Sequence, residues 1–296
     1  MPCHLPVIDQ PEQRIGARTF DFSQQAAVMA VVNRTPDSFH DRGATFALAA
    51  AVAASTAAVE QGADWVDVGG VPFSPLVPRV PPEEEADRVV PVVEAIRAAS
   101  DVVISVDTTR ASVARAAIAA GADVVNDTSG LSDPEMAAVV RESGVSLVIT
   151  HSLAKPFEVL ERPTYENVTL EVAAALQRKL QQALEAGISA DRVILDPGHD
   201  LNKNTMHTLQ LTRELEAITD LGQPVLAAVS NKDFIGETLD RPRGERVAGS
   251  VASAMWCLMA GARILRMHDV AAAVDTVRMF EAIMGWREPA HARHNV

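Results

Sequence analysis

The chain is short of four things, and each shortage excludes something. Aromatic residues make up only 4% of its 296 residues, so Ala, Val, Leu and Ile must build the core. Only two cysteines occur, Cys3 and Cys257. They form neither a disulfide framework nor a zinc-ligand spacing, and a reducing, cytoplasmic location is the expectation. Positive charge is scarce: 26 Lys plus Arg against 39 Asp plus Glu leave a net −13. Nucleic-acid binders show phosphates a basic face, and anionic membrane surfaces attract basic segments, so neither partner is expected. Long apolar runs are also missing. The blandest stretch, 47–59, is alanine-rich and carries Ser55 and Thr56; it is too short and too weakly apolar to span a bilayer and reads as a helix packed on a neighbour. Near the start, Asp9, Glu12, Arg14 and Arg18 interrupt every apolar run, so no signal peptide is expected.

What is present is an ordinary globular composition, 48% hydrophobic and 22% charged, organised by a loose repeat. A helical pattern ends at a glycine, and a β-branched run ending in a polar residue follows. Gly62 leads into Trp65-Val66-Asp67-Val68-Gly69, Gly121 into Val124-Val125-Asn126-Asp127, Gly187 into Val193-Ile194-Leu195-Asp196, and Gly261 into Ile264-Leu265-Arg266-Met267-His268. The full pass predicts eight strands near 27–33, 65–69, 102–107, 123–126, 145–151, 192–196, 224–230 and 263–268. Helices are predicted near 47–61, 83–99, 110–120, 134–143, 166–186, 206–219, 239–260 and 270–284. Pro81-Pro82 before Glu83-Glu84-Glu85 marks one helix start, and Asp133-Pro134 places an N-cap and an N1 proline at another.

Strict alternation means parallel strands joined by crossovers, and eight units in under 300 residues predict an α/β protein, a single-domain (β/α)8 TIM barrel. The alternative is an open doubly wound sheet, but no G-x-G-x-x-G opens a helix after the first strand. The expected layout is an N-terminal leader over 1–26, covering the barrel bottom or pairing as a hairpin, a barrel over 27–286 and a polar tail over 287–296. The least regular interior stretch is 152–165.

Barrel active sites sit at the C-terminal strand ends. Those ends carry Asn33, Asp67, Asp107, Asn126, His151, Asp196, Ser230 with Lys232, and Arg266 with His268. Any one of these has a structural explanation as a cap or a satisfied buried polar group. A polar residue on all eight ends does not, because buried polar groups cost free energy unless paired. Asp107, Asn126, Asp196 and Lys232 suit a planar heterocycle with donor and acceptor edges, since a carboxylate facing an N–H pair makes charge-assisted two-point bonds. Arg266 and His268 lie two residues apart, on one face of their strand, and suit a phosphate group. Arg266 has a second reading, as the structural partner of one of the acids. The loop 33–43, with Phe39 among ionisable groups, reads as a lid or as an ordinary surface loop. His151, His199 and His207 lack metal-ligand spacing and read as caps or core residues. No G-x-S-x-G, Walker A or Cys-His nucleophile pattern occurs.

These residues resemble the dihydropteroate synthase family over roughly 27–278. Asn33-Arg34-Thr35-Pro36-Asp37-Ser38-Phe39 resembles its first-loop motif. Ser105-Val106-Asp107-Thr108, Asn126-Asp127, Leu195-Asp196-Pro197-Gly198, Ser230-Asn231-Lys232 and Arg266-Met267-His268-Asp269 resemble later ones. The resemblance implies a (β/α)8 barrel, commonly a homodimer, that joins a dihydropterin methyl diphosphate to 4-aminobenzoate in folate biosynthesis. It implies that Asp107, Asn126, Asp196 and Lys232 hold the pterin. It implies that Asn33, Arg266 and His268 hold diphosphate, with Asn33 beside Mg²⁺, and that Lys232, Arg266 and His268 act in the transfer.

The departures are concentrated on one side. The family's Gly-Gly-Glu-Ser-Thr-Arg-Pro is Gly69-Gly70-Val71-Pro72-Phe73-Ser74-Pro75 here, and its Gly-Phe-Gly-Lys is Asp200-Leu201-Asn202-Lys203. Its Ser-Arg-Lys is Ser230-Asn231-Lys232, while Arg34 and His40 stand where other residues are usual. In these respects the chain is similar to the divergent second paralogue found in some actinobacteria. Two readings follow: a transferase with an altered acceptor site, or a pterin-binding paralogue without efficient transfer. A third class, the methyltransferase-type pterin barrel, is disfavoured by the Arg266/His268 pair, since methyl transfer needs no diphosphate site.

Overall fold

The computed structural model describes residues 3–34, 47–71, 79–156, 158 and 160–294. A two-strand antiparallel hairpin, β1 (Glu12–Ile15) and β2 (Arg18–Asp21), comes first. Eight parallel strands follow: β3 (Ala27–Asn33), β4 (Trp65–Gly69), β5 (Val103–Asp107), β6 (Val124–Asp127), β7 (Ser146–Thr150), β8 (Val193–Asp196), β9 (Leu226–Ala227) and β10 (Ile264–Met267). Their spatial order is β8-β7-β6-β5-β4-β3-β10-β9. A parallel bridge between Leu195 and Val225 joins the two ends, so the sheet closes as the predicted (β/α)8 barrel.

The helices are α1 (Leu48–Glu60), α2 (Pro82–Ala99), α3 (Ala111–Ala119), α4 (Met136–Ser143), α5 (Val168–Glu185), α6 (Thr205–Arg213), α7 (Glu216–Thr219), α8 (Asp233–Leu239), α9 (Val247–Met259) and α10 (Val270–Ile283). Helix α2 starts as its sequence signals, with Pro82 at N1 and Glu83, Glu84 and Glu85 in the first turn. Two long helical patterns are interrupted. The stretch 206–219 divides into α6 and α7. In the stretch 239–260, α8 ends at Leu239 and α9 starts only at Val247, because Asp240 turns left-handed at φ 51° and Gly244 at φ 93° around Pro242, which cannot donate to a helix. Strand β9 is shorter than 224–230. Asp133 is not the N-cap of α4: its carboxylate accepts from the backbone of Glu135 and Ala111, and Glu135, further along the chain, caps α4 instead.

Two apolar sets divide the core by strand periodicity. Outward residues such as Val28, Val66, Ile104, Val125 and Leu265 pack beneath the helices. Inward residues Met29, Trp65, Val103, Val124, Val148, Ile194, Leu226 and Ile264, one from each barrel strand, form a floor with Ile15, Phe20 and Phe22 of the hairpin region. Phe20 meets the Trp65 ring edge-on, with centroids 5.7 Å apart. The hairpin therefore plugs the bottom of the barrel, and polar chemistry is left to the opposite end. No described helix is long and apolar enough to cross a membrane.

Candidate active site

Residues two apart on a strand face the same way. One step above the apolar floor, the inward positions become Asp67 on β4, Ser105 on β5, Asn126 on β6, Thr150 on β7, Asp196 on β8 and Arg266 on β10. A second step reaches Asn33, Gly69, Asp107 and His268. The floor buries apolar area, and the layers above it place hydrogen-bonding groups around the barrel mouth.

The middle layer is knit around Arg266. Its Nε donates to Asp67 Oδ2 at 2.7 Å, and a terminal nitrogen donates to Asp107 Oδ2 at 3.3 Å. The Asn126 amide donates to the same Asp67 oxygen at 3.2 Å. The structural reading of Arg266, as the partner of acids, thus holds in this state. A guanidinium carries five donors, so this pairing does not exhaust it. Burial by itself would lower the Arg266 pKa, and Asp67 and Asp107 outweigh that and raise it. Burial first, then the neighbouring Asp67 charge, pushes Asp107 up to about 7 against the pull of Arg266.

Across the mouth, Asp196 is 5% exposed. Its Oδ1 accepts from Gly198 N–H at 2.7 Å, and Thr150 Oγ1 lies 3.5 Å from Oδ2. Burial raises its pKa, while the Gly198 N–H, Lys232, Arg266 and Lys203 oppose the rise. Gly198 makes this turn possible. It sits at φ 67°, and a Cβ there would stand 2.1 Å from the His151 carbonyl oxygen. Lys232 donates to the carbonyl of His199 at 3.0 Å, which aims the amine into the mouth from α8's start, and burial lowers its pKa. His268 Nδ1 lies 3.0 Å from Ser230 Oγ, so the loops after β9 and β10 are joined. Asn33 and Asp107 converge over Gly69: a Cβ there would meet Asn33 Oδ1 at 3.2 Å and Asp107 Cβ at 3.7 Å.

The structure therefore brings all seven predicted residues, Asn33, Asp107, Asn126, Asp196, Lys232, Arg266 and His268, to one barrel end. Several buried polar atoms there have no partner among the described residues: Asp67 Oδ1, Ser105 Oγ, Asn126 Oδ1 and both ring nitrogens of His199. Unsatisfied buried polar groups are costly, and their concentration here marks a ligand-receiving region. His207 is a cap, as expected, in a reciprocal capping box with Asn204. His151 is buried and accepts at Nδ1 from Lys203 Nζ at 3.0 Å.

The loop after β8 shows a feature that motif reading missed. Asp200 and Asn202 both take left-handed backbones, φ 63° and 49°. Asp200 accepts from the backbone of Asp233 at 2.7 Å and so caps α8. Asn202 Oδ1 accepts from Ser152 Oγ at 2.6 Å and Ala154 N–H at 2.9 Å. Tyr165 donates to the Asn202 carbonyl at 3.0 Å, so the irregular 152–165 stretch is tied at both ends. Between them Leu201 is buried at 9% exposure. Lys203, buried and lowered to about 7, donates to the carbonyls of Gly198 and Leu201. An acid and an amide flanking one apolar residue, Asp200-Leu201-Asn202, are the signal that could have announced this clasp. Of the other departures, Arg34 donates to the carbonyls of Asp87 and Arg88 on α2. Phe39, His40, Phe73 and Ser74 lie outside the described residues.

The comparisons agree with this geometry. The family model described as "Pterin binding enzyme" matches residues 29–268. "Inactive dihydropteroate synthase 2" of Mycobacterium tuberculosis is 45% identical, over 90% of this chain and 85% of the relative. The dihydropteroate synthase of Haemophilus influenzae is 39% identical, over 86% of this chain and 93% of its own. The structure of Xanthomonas albilineans dihydropteroate synthase in complex with 7,8-dihydropteroate superposes with a TM-score of 0.83 at 38% identity, covering 93% of this chain and 99% of that one. A strand-end polar mouth on a closed barrel, matched over most of its length by these relatives, places the chain in the pterin-binding dihydropteroate synthase family.

Proposed function

We propose that the barrel mouth binds a dihydropterin methyl diphosphate and transfers its pterin-methyl group to an arylamine of the 4-aminobenzoate type. The observation that carries this reading is the buried carboxylate of Asp196 facing Lys232 and Arg266 across one opening. Asp196 accepts from the pterin's amidine-like N–H pair, Asp107 and Asn126 meet the opposite ring edge, and Lys232 donates to a ring acceptor. In the transfer, the bond from the methylene carbon to the diphosphate oxygen breaks and its electron pair leaves with diphosphate. The amine nitrogen then donates its pair to the carbon and loses a proton. Fixed carboxylates favour the cationic pterin methylene, Arg266 and His268 favour the departing anion, and no protein nucleophile is required.

Mg²⁺ fits the residues at hand. No described group of three His, Cys, Asp or Glu makes an all-protein cage, but Mg²⁺ commonly takes one or two protein oxygens and completes its shell with phosphate and water. The hard amide oxygen of Asn33, at the mouth beside Gly69 and Asp107, is such a donor. When bound, Mg²⁺ would offset charge on the leaving diphosphate. A cytoplasmic homodimer belongs to the same proposal. The outer faces of α9 and α10 expose Trp256, Met259, Met279 and Ile283, an apolar surface suited to a second copy, and sedimentation at a monomer mass would refute it.

A second reading is pterin binding without transfer. It is favoured by Leu201 and Asn231, which stand where the family has an aromatic and an Arg, and by relatives named inactive at 45% identity. Purified protein is mixed with Mg²⁺, dihydropterin methyl diphosphate and arylamines, and diphosphate release is measured. Release supports the transferase. Pterin binding without release, for 4-aminobenzoate and other arylamines, leaves the second reading. Absence of pterin binding refutes both.

A further inference from the structure

We propose that Asp67, which neither the motif reading nor the proposed mechanism uses, is the positioning residue that holds the Arg266 guanidinium in one plane at the centre of the mouth. The proposal rests on the pterin-diphosphate reading for its functional consequence, but its structural core stands on geometry alone.

Asp67 is fully buried, with 0% exposure, one layer below the mouth. Trp65, two residues earlier and equally buried, belongs to the apolar floor, so a carboxylate at position 67 has no stabilising reason to be there unless something above it needs an anion. Its Oδ2 takes the Arg266 Nε–H at 2.7 Å and the Asn126 amide at 3.2 Å. One oxygen therefore sets the orientation of two side chains assigned to ligand, and, through the second Arg266 bond, of Asp107 at 3.3 Å. Binding at Nε matters. It fixes the guanidinium's roll about its own stem while one terminal nitrogen reaches Asp107. A neutral residue in its place would leave a buried cation without its nearest compensating charge, and breaking a buried ion pair from one side is costly. Asp67 Oδ1 has no partner among the described residues, so its second oxygen is not needed by the fold.

The test uses Asp67→Asn, which keeps the shape and removes the charge, with Arg266→Lys and the double variant. The Arg266 Nε–H resonance in 15N-labelled protein is identified as the one missing from Arg266→Lys. In the wild type it is expected to exchange slowly with solvent, and in Asp67→Asn to exchange at least tenfold faster. Affinity for dihydropterin methyl diphosphate is expected to fall at least tenfold in each single variant. In the double variant it should stay within about twofold of Arg266→Lys, because residues acting through one contact do not add. Losses that multiply, or wild-type affinity in Asp67→Asn, would overturn the proposal. If Asp67→Asn does not fold, the wild-type resonance decides, and fast exchange there overturns it. If the wild type does not bind the pterin diphosphate, the functional reading fails, while the resonance comparison still decides whether Asp67 holds Arg266.

Discussion

Replacing Asp196 by Asn tests the pterin wall directly. The change is nearly isosteric and touches a side chain only 5% exposed. Asn retains one oxygen for the Gly198 N–H, which Asp196 now accepts at 2.7 Å. The other oxygen becomes an NH2, a donor aimed at a ring donor. One charge-assisted bond is lost and two donors face each other. Hydrogen bonds to charged groups are worth about 1.5–3 kcal/mol, so affinity should fall about 10- to 150-fold. Fold stability should behave differently. The folded state raises the Asp196 pKa, chiefly by burial, despite Gly198 N–H and the nearby cations. Near neutral pH the fold therefore holds this charge at a disadvantage relative to the unfolded chain, and its removal should leave stability unchanged or slightly higher. Isothermal titration with 6-hydroxymethylpterin and urea unfolding of the same preparation separate the two effects. Unchanged affinity would refute the placement of pterin at Asp196. Loss of affinity and stability together would show that the carboxylate is structural.

Three further outcomes follow from the same geometry. Asp107 is raised to about 7 in the folded state, so the fold binds its proton more tightly than the unfolded chain does. Stability should decline as pH rises from about 4, the ordinary carboxylate value, toward 7. Asp107→Asn should flatten that decline in melting temperature, and parallel slopes would refute it. Gly198→Ala should lower the melting midpoint by a few degrees: a left-handed alanine costs about 1–2 kcal/mol, and a Cβ 2.1 Å from the His151 carbonyl forces backbone movement at further cost, each kcal/mol being worth about 2 °C in a chain of this length. Asn202→Gly should change stability by no more than about 1 kcal/mol, since relief of the left-handed residue offsets two lost side-chain bonds. Backbone amides at 152–154 should nonetheless exchange faster, and unchanged exchange there would show that Asn202 does not fasten this loop.

Periodicity made most of the barrel legible. Continuous β-branched runs after glycine-ended helices locate the strands to within a residue or two, because a parallel strand buried on both faces has no polar face to confuse the pattern. The breaks at Pro242 and Gly244, and the two-residue β9, were less legible. The punctuation of 240–246 was outweighed by the apolar run that follows, and the apolar run at 224–230 pairs as a strand only over Leu226–Ala227, with one further bridge at Val225.

The sequence alone determined which side chains end the strands, since alternation sends every second residue inward and the motifs name the polar ones. Tertiary structure decided how they pair. That Arg266 spans Asp67 and Asp107, 199 and 159 positions away in the chain, depends on β4, β5 and β10 meeting around a closed barrel, and no local pattern encodes that. The same holds for Asp200 and Asn202. As letters they are two departures from a glycine-rich motif. In three dimensions they are turn residues whose side chains tie adjacent loops together, because a left-handed backbone turns each side chain toward a neighbour that only the fold supplies.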